Sequence, residues 1–213
     1  MKVKDIKQLL INAVEKYVTP IEAEYFANEV VETDVRKQAP DKKYQNDLIK
    51  DIKSWEGNGG PVKKTIDLPG YTQYDFEGRG TSLKIKEIHD ELERKAAQNG
   101  IAMISVINSA GMHTMHLWTQ GLAKRGIFAL AAWNGGPEAV VPLNGTRGLL
   151  GTNPMTYGFP GDKGDIVIDM ATSEIPYFKI VRAKKDQTPL PPNAAVDSQG
   201  EVTTDPSKAL DNE

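Results

Sequence analysis

The sequence predicts an α/β fold, with a helical N-terminal unit over residues 1–60 and a mixed-sheet α/β domain over residues 61–213. Three observations predict it. Apolar residues recur at helical spacing up to Trp55. A turn-rich linker, Gly57-Asn58-Gly59-Gly60-Pro61, follows. Beyond it, short runs of strand character alternate with helical ones.

Val3, Ile6, Leu9, Leu10 and Val14 fall near helical spacing in residues 3–16. Thr19-Pro20-Ile21-Glu22 reads as an N-cap, a proline at the first helical position and an acidic first turn. The helix it opens would bury Ala23, Phe26, Ala27, Val30 and Val31, and should stop in the polar segment 36–43. Leu48, Ile49 and Ile52 allow a short further helix before Trp55. Residues 65–68 and 71–75 alternate as strands do. A helix over 82–98 ends on Asn99-Gly100, a C-cap pattern. Residues 101–107 suit a buried strand, a helix over about 113–125 stops at Gly126, and residues 127–132 and 166–168 are further strands. From Lys184 the chain turns polar and proline-rich, with Lys184-Lys185 in a solvated turn. No internal repeat is visible.

Composition excludes several classes of function. The 213 residues are 39% hydrophobic and 26% charged, too apolar for a disordered chain. A net charge of -3 gives no long-range attraction to nucleic acid or an anionic membrane. With no cysteine, disulfides, thiolate metal sites and cysteine nucleophiles are ruled out. The charged start is unlike a signal peptide, and no apolar run reaches membrane-spanning length. A cytoplasmic location, with no nucleic-acid or membrane partner, is the expectation.

The segment Gly145-Thr146-Arg147-Gly148-Leu149-Leu150-Gly151-Thr152-Asn153-Pro154 combines backbone, hydroxyl and amide groups with one guanidinium. It is either a tight surface turn or a place where backbone N–H groups approach phosphate or carboxylate oxygens. It is not a G-x-G-x-x-G fingerprint, and no Walker loop occurs. Arg147 is either a carboxylate clamp for the substrate or a surface arginine. Asp169-Met170-Ala171-Thr172-Ser173 follows a strand directly, so Asp169 either fixes a ribose or amide of a nucleotide or helps to cap a helix. Among the histidines, His89 lies on a charged helix with its ring in solvent. His113 and His116, three apart, would share one helix face. They make half of a metal site without a third ligand at motif spacing, so no metal is expected, and a packed or cofactor-lining role remains. Trp118, Met112 and Met115 read as core.

These segments together resemble the NAD(P)-dependent malate/lactate/ureidoglycolate dehydrogenase family. Val140–Pro154 is similar to its V-P-x-G-G…G-T-N-P signature, and Asp169–Ser173 to its D-M-A-T-S motif. Ala195-Val196-Asp197-Ser198-Gln199-Gly200 and Thr203-Thr204-Asp205-Pro206 resemble its A-x-D-x-x-G…T-T-D-P segment. The resemblance is firm from about residue 127. It implies a dinucleotide-binding fold distinct from the Rossmann type and a homodimer. It also implies NAD or NADP as cofactor and a small 2-oxo, 2-hydroxy or imino acid as substrate. By motif match Asp169, Met170, Ala171 and Thr172 contact the dinucleotide, with Thr152 and Asn153 nearby.

The departures fall on the family's acid and base residues. In the family's D-x-R-G-x-x-S-H-G motif, Asp34-Val35-Arg36 matches, but Lys37, Pro40, Asp41 and Lys42 follow and neither the serine nor the histidine is present. A second family histidine, in an H-F/S-G motif, falls on Gly111. Reducing a ketone requires a proton as well as a hydride. His113 or His116 is left as a replacement donor, with Asp41 for the other acid. The C-terminal part of the family fold is expected to be absent. The resemblance thus implies an oxidoreductase that works with a complementing chain. The alternative is a pseudoenzyme, a nucleotide-binding partner or regulatory subunit without catalysis.

Overall fold

A computed structural model describes residues 2–37 and 42–211, excepting the side chains of residues 37 and 42–46. Asp41 and Pro40 therefore lie outside the described residues. The chain gathers into two units, one of residues up to 129 together with 157–167, the other of 130–156 together with 168 onward.

In the first unit, α1 (Val3–Val14) and α2 (Pro20–Lys37) are joined by the Thr19 cap. The Glu22 carboxylate accepts from the Thr19 backbone N–H at 2.8 Å, and the Thr19 hydroxyl accepts from the Glu22 N–H at 3.3 Å. This reciprocal box satisfies two helix-end donors. Ala23, Phe26, Ala27, Val30 and Val31 are all buried, as their spacing predicts. On α1, by contrast, only Val14 is buried, while Val3 and Leu9 face solvent.

Helix α3 (Lys42–Lys53) docks through Asp51 and through Trp55 just beyond its end. The Trp55 indole N–H donates to the Gly80 carbonyl at 2.9 Å, and the buried Arg79 guanidinium stacks 4.8 Å from its ring. Asp51 is 3% exposed. One of its oxygens accepts from the Ser82 backbone N–H at 3.2 Å and from the Ser82 hydroxyl. The other has no hydrogen-bond partner among the described residues. Burial pushes this carboxyl up to about 7, against the lowering effect of the Ser82 bonds. Gly80 lies against it, since a Cβ there would stand 1.3 Å from the Asp51 carboxylate.

Strands β1 (Lys63–Leu68), β2 (Tyr71–Asp75) and β3 (Met103–Ile107) form a mixed sheet in that order, with β1 antiparallel and β3 parallel to β2. A single 3-10 turn, Ser82–Lys84, leads into α4 (Ile85–Asn99), which supplies the crossover to β3 and ends on Gly100 at φ 78°. The expected buried strand at 101–107 is corrected. Pairing starts at Met103, and Ile101, Met103 and Ile107 are exposed, because β3 is an edge of a three-stranded sheet.

Helix α5 (His116–Lys124) ends where Gly126 turns the chain at φ 79°. Strands β4 (Ala129–Ala132), β5 (Met155–Phe159) and β6 (Ile166–Met170) form the second sheet in the order β4-β5-β6. β5 is not among the strands that the sequence predicts, and it carries a glycine in its interior. Gly158 is there because a Cβ would lie 2.6 Å from the Thr119 carbonyl of α5.

In the second unit α6 (Tyr177–Asp186) replaces the expected polar turn at Lys184-Lys185, both of which sit exposed on this helix. Its apolar side, Ile180 and Ala183, packs with Leu190 into a small core. Helix α7 (Pro206–Leu210) starts at Asp205, whose carboxylate accepts from the Ser207 N–H at 2.8 Å, with Pro206 in the first turn.

Candidate cofactor site and proton-transfer residues

In the second unit, two segments the sequence singles out are tied together. The Thr172 backbone N–H donates to the Thr152 carbonyl at 3.0 Å. Its hydroxyl reaches the carbonyls of Thr152 at 3.2 Å and of Asn153 at 3.0 Å. The Asn153 side-chain oxygen in turn accepts from the Gly135 N–H at 3.3 Å. Asp169 and Met170 are the last two residues of β6, half-buried and exposed respectively, followed by half-buried Ala171 and exposed Thr172. The end of β6 thus presents a carboxylate and a hydroxyl beside a run of carbonyls.

The glycines of the neighbouring loop serve their own backbone. A Cβ at Gly148 would stand 1.9 Å from the Glu138 carbonyl, and one at Gly151 2.1 Å from the Gly135 carbonyl. The isolated bridge between Val140 and Leu150 closes the same loop. Gly145 donates back to Pro142 at 2.8 Å after Asn144 at φ 61°, which makes a tight turn. Close backbone packing therefore explains Gly148 and Gly151 without a ligand. Arg147 is exposed on this loop. A cavity of about 330 Å³ lies in the same unit, with Val140, Gly148, Thr172, Ser173 and Tyr177 in its wall.

In the first unit, His113 and His116 do not share a helix face. α5 begins at His116, and His113 precedes it in left-handed backbone at φ 55°. When the H-F/S-G motif is laid on Gly111-Met112-His113, the histidine occupies the glycine position, and this φ is the one glycine favours. His116 is buried, with Nε2 3.0 Å from the Gln120 side-chain oxygen. Gln120 spends its amide N–H on Glu29 at 2.9 Å, so its oxygen must accept and His116 Nε2 carries the proton. The chain of polar contacts continues through Lys124 to Glu29 and Glu32, at 2.9 and 2.7 Å. Arg36 of the matched Asp34-Val35-Arg36 segment then pairs with Glu32 and grips Asp165 with both terminal nitrogens. That grip holds the Asp165 carboxyl below its ordinary range.

His89 is a correction. It is fully buried rather than solvated. Arg125 donates to the Tyr25 oxygen at 2.8 Å, which leaves the Tyr25 O–H to donate to His89 Nδ1 at 2.9 Å. His89 Nε2 then donates to the Trp118 carbonyl at 3.0 Å. Burial, reinforced by Arg125, pushes the His89 pKa down to about 3. The signal was available: His89 follows Ile85 by four residues and so lies on that helix's buried side. Trp118 and Met115 are buried as expected, and Met112 is half-buried. Among the described residues, no three His, Asp or Glu side chains converge on a possible metal position.

The family described as malate/L-lactate dehydrogenase matches residues 61–213. The chain belongs to that family. An L-sulfolactate dehydrogenase of Methanocaldococcus jannaschii is 33% identical over 122 residues, covering 57% of this chain and 35% of the relative. A Delta(1)-pyrroline-2-carboxylate/Delta(1)-piperideine-2-carboxylate reductase of Pseudomonas putida is 33% identical over 145 residues, covering 67% of this chain and 42% of the relative. The solved sulfolactate dehydrogenase of M. jannaschii superposes with a TM-score of 0.81 at 25% identity, over 99% of this chain and 62% of that one. A malate dehydrogenase of Entamoeba histolytica shares the fold, with a TM-score of 0.81 at 18% identity over 60% of its length. The chain thus spans well under half of these curated relatives and about three-fifths of the solved ones. Among the described residues, no helix is long and apolar enough to cross a membrane.

Proposed function

We propose that this chain is the cofactor-binding portion of an NAD(P)-dependent oxidoreductase that reduces a small 2-oxo or imino acid together with a second copy or a complementing chain. The dinucleotide would be held within residues 61–213. The observation that carries the reading is the Thr172 clasp, which draws Thr152 and Asn153 to the end of β6 beside Asp169. These groups suit the ribose and amide oxygens and nitrogens of a dinucleotide, with Met170 and Ala171 as apolar contacts and Arg147 toward a substrate carboxylate. Curated relatives carry names specifying NADP(+), in a (2R)-3-sulfolactate dehydrogenase, and NAD(+), in ureidoglycolate dehydrogenases. A bound nicotinamide dinucleotide would supply the hydride. A proton has to reach the reduced atom as well. His113, His116 and Asp41 are the candidates, and the His116 ring is oriented through Gln120.

A second reading, a non-catalytic nucleotide-binding partner, is favoured by Gly111 standing at a motif histidine. Titrating NADH and NADPH into the full chain, followed by tryptophan fluorescence, tests the shared claim. Saturable binding is expected, weakened about tenfold in Thr172→Val through loss of the hydroxyl's bonds. Failure of both cofactors to bind rejects both readings. Turnover of pyruvate, oxaloacetate or a cyclic imino acid separates them, since binding without turnover rejects catalysis by the isolated chain.

A further inference from the structure

We propose that a groove of the first unit, with Tyr74 in its floor, binds a small zwitterion of the α-amino-acid class. The groove lies between the start of α2, the paired strands β1 and β2, and α4. It encloses about 590 Å³, within the range of small-molecule sites. None of its wall residues belongs to the candidate cofactor segments or to the proton-transfer candidates, so the groove is independent of the dinucleotide reading.

Tyr74 is fully buried, and its O–H meets no acceptor in hydrogen-bonding geometry among the described residues. Buried polar groups are nearly always paired, so an unmet phenol in the floor of a groove marks a place for an acceptor. Burial, aided by the nearby Glu87 and Glu91 carboxylates, raises the pKa of this phenol, which keeps it protonated and able to donate. Around it the charges alternate in sign. Lys84, itself buried, reaches Glu22 at 3.0 Å and Glu87 at 3.5 Å. Lys64 reaches Glu91 at 3.1 Å and stands 5.5 Å from the centre of the Tyr74 ring. Arg94 closes on the same Glu91 carboxylate at 2.9 Å, and Lys86 pairs with Asp90 at 2.5 Å.

This balance of four cations and four carboxylates decides the class of ligand. A lone anion could accept from Tyr74, but it would also face Glu87 and Glu91. A metal ion finds no three converging His, Asp or Glu side chains among the described residues. A zwitterion brings both signs. Its carboxylate accepts from the Tyr74 O–H with Lys64 and Lys84 in the same wall, and its ammonium goes to Glu87, whose bridge to Lys84 is the longest of these pairs. Every charge then keeps an opposite neighbour, as a desolvated site requires.

Calorimetric titration of the full chain with each of the common L-amino acids tests the assignment, with sodium acetate and methylammonium chloride carrying the two charges singly. At least one amino acid should bind saturably at concentrations up to about 10 mM, and neither single-charge probe should match it. Tyr74→Phe, which keeps the ring, and Glu87→Gln should each weaken that binding about tenfold. Urea unfolding checks the fold of both variants, and loss of an unmet buried hydroxyl should leave Tyr74→Phe at least as stable as the parent. Absence of binding by every amino acid overturns the proposal. Equal affinity for acetate or methylammonium, or unaltered affinity in either folded variant, overturns it as well.

Discussion

Replacing Asp51 by asparagine should stabilise the protein increasingly as pH rises above about 4 and leave it nearly unchanged below that. The buried carboxyl ionises near 3.8 in an unfolded chain but only at about 7 in the fold. Between those values the native state holds a proton the unfolded state has released. Its contribution is therefore complete below about pH 4 and declines until the native group has also ionised. Just over three pH units, at about 1.4 kcal/mol each, amount to about 4 kcal/mol. His89 acts in the opposite direction. Its native pKa of about 3 lies below the ordinary 6.5, so its contribution is full above 6.5 and shrinks as pH falls toward 3. From about pH 4 to 6.5 the two trends nearly cancel in the parent protein. The informative quantity is thus the difference between parent and Asp51→Asn in urea unfolding, read by tryptophan fluorescence. Trp55 lies one helical turn beyond the substituted residue. That difference should grow from near zero at pH 4 to about 4 kcal/mol at pH 7 and then stay level. A difference independent of pH, or a variant less stable than the parent at pH 8, would refute the reasoning.

The same ledger predicts that nitrogen-detected NMR will find the His89 ring neutral at pH 5, with Nε2 protonated; a charged ring there refutes its burial. Gly148→Ala places a methyl group 1.9 Å from the Glu138 carbonyl. Overpacking against backbone should cost about 2–3 kcal/mol and lower the melting temperature, and an unchanged melt would contradict the loop geometry. Arg36→Ala removes both bonds to Asp165 and should cost about 1 kcal/mol after allowing for partial exposure. Arg36→Lys should recover less than half of it, because an ammonium cannot reproduce the fork. Chemical denaturation of the three proteins side by side measures both effects, and full recovery by lysine would exclude the two-pronged geometry.

The N-terminal helices were legible because local rules act there alone: Thr19-Pro20 starts α2, and every apolar position proposed for its face is buried. β5 was illegible because Gly158 answers to the Thr119 carbonyl, a distant contact with no local signature. His89 was misread because charged neighbours mask its place beside Ile85 and Ile88, whereas the helical count would have found it. At the candidate site, the residues around Thr172 were marked by motif order, but the hydrogen bonds joining them to Thr152 were not. Asp51 carried no sequence signal. An acid between Lys50 and Lys53 on an amphipathic helix reads as solvated, and only the arrival of Ser82 and Gly80 makes it a buried acid.

The pair formed by Arg36 and Asp165 has a consequence for the order of events at the ribosome. The two residues are 129 positions apart, yet both belong to the first unit, which is completed by a return of the chain at 157–167. At about 5–20 residues per second, Arg36 waits roughly 6–26 s after its own synthesis before Asp165 exists to meet it. During that interval α2 can cap and pack locally, but its outward arginine has no distant anion to hold. The whole of the second unit's first segment, residues 130–156, is made before the first unit can close. A nascent chain halted shortly before residue 165 should therefore be more open to proteases around α2 than one halted beyond it.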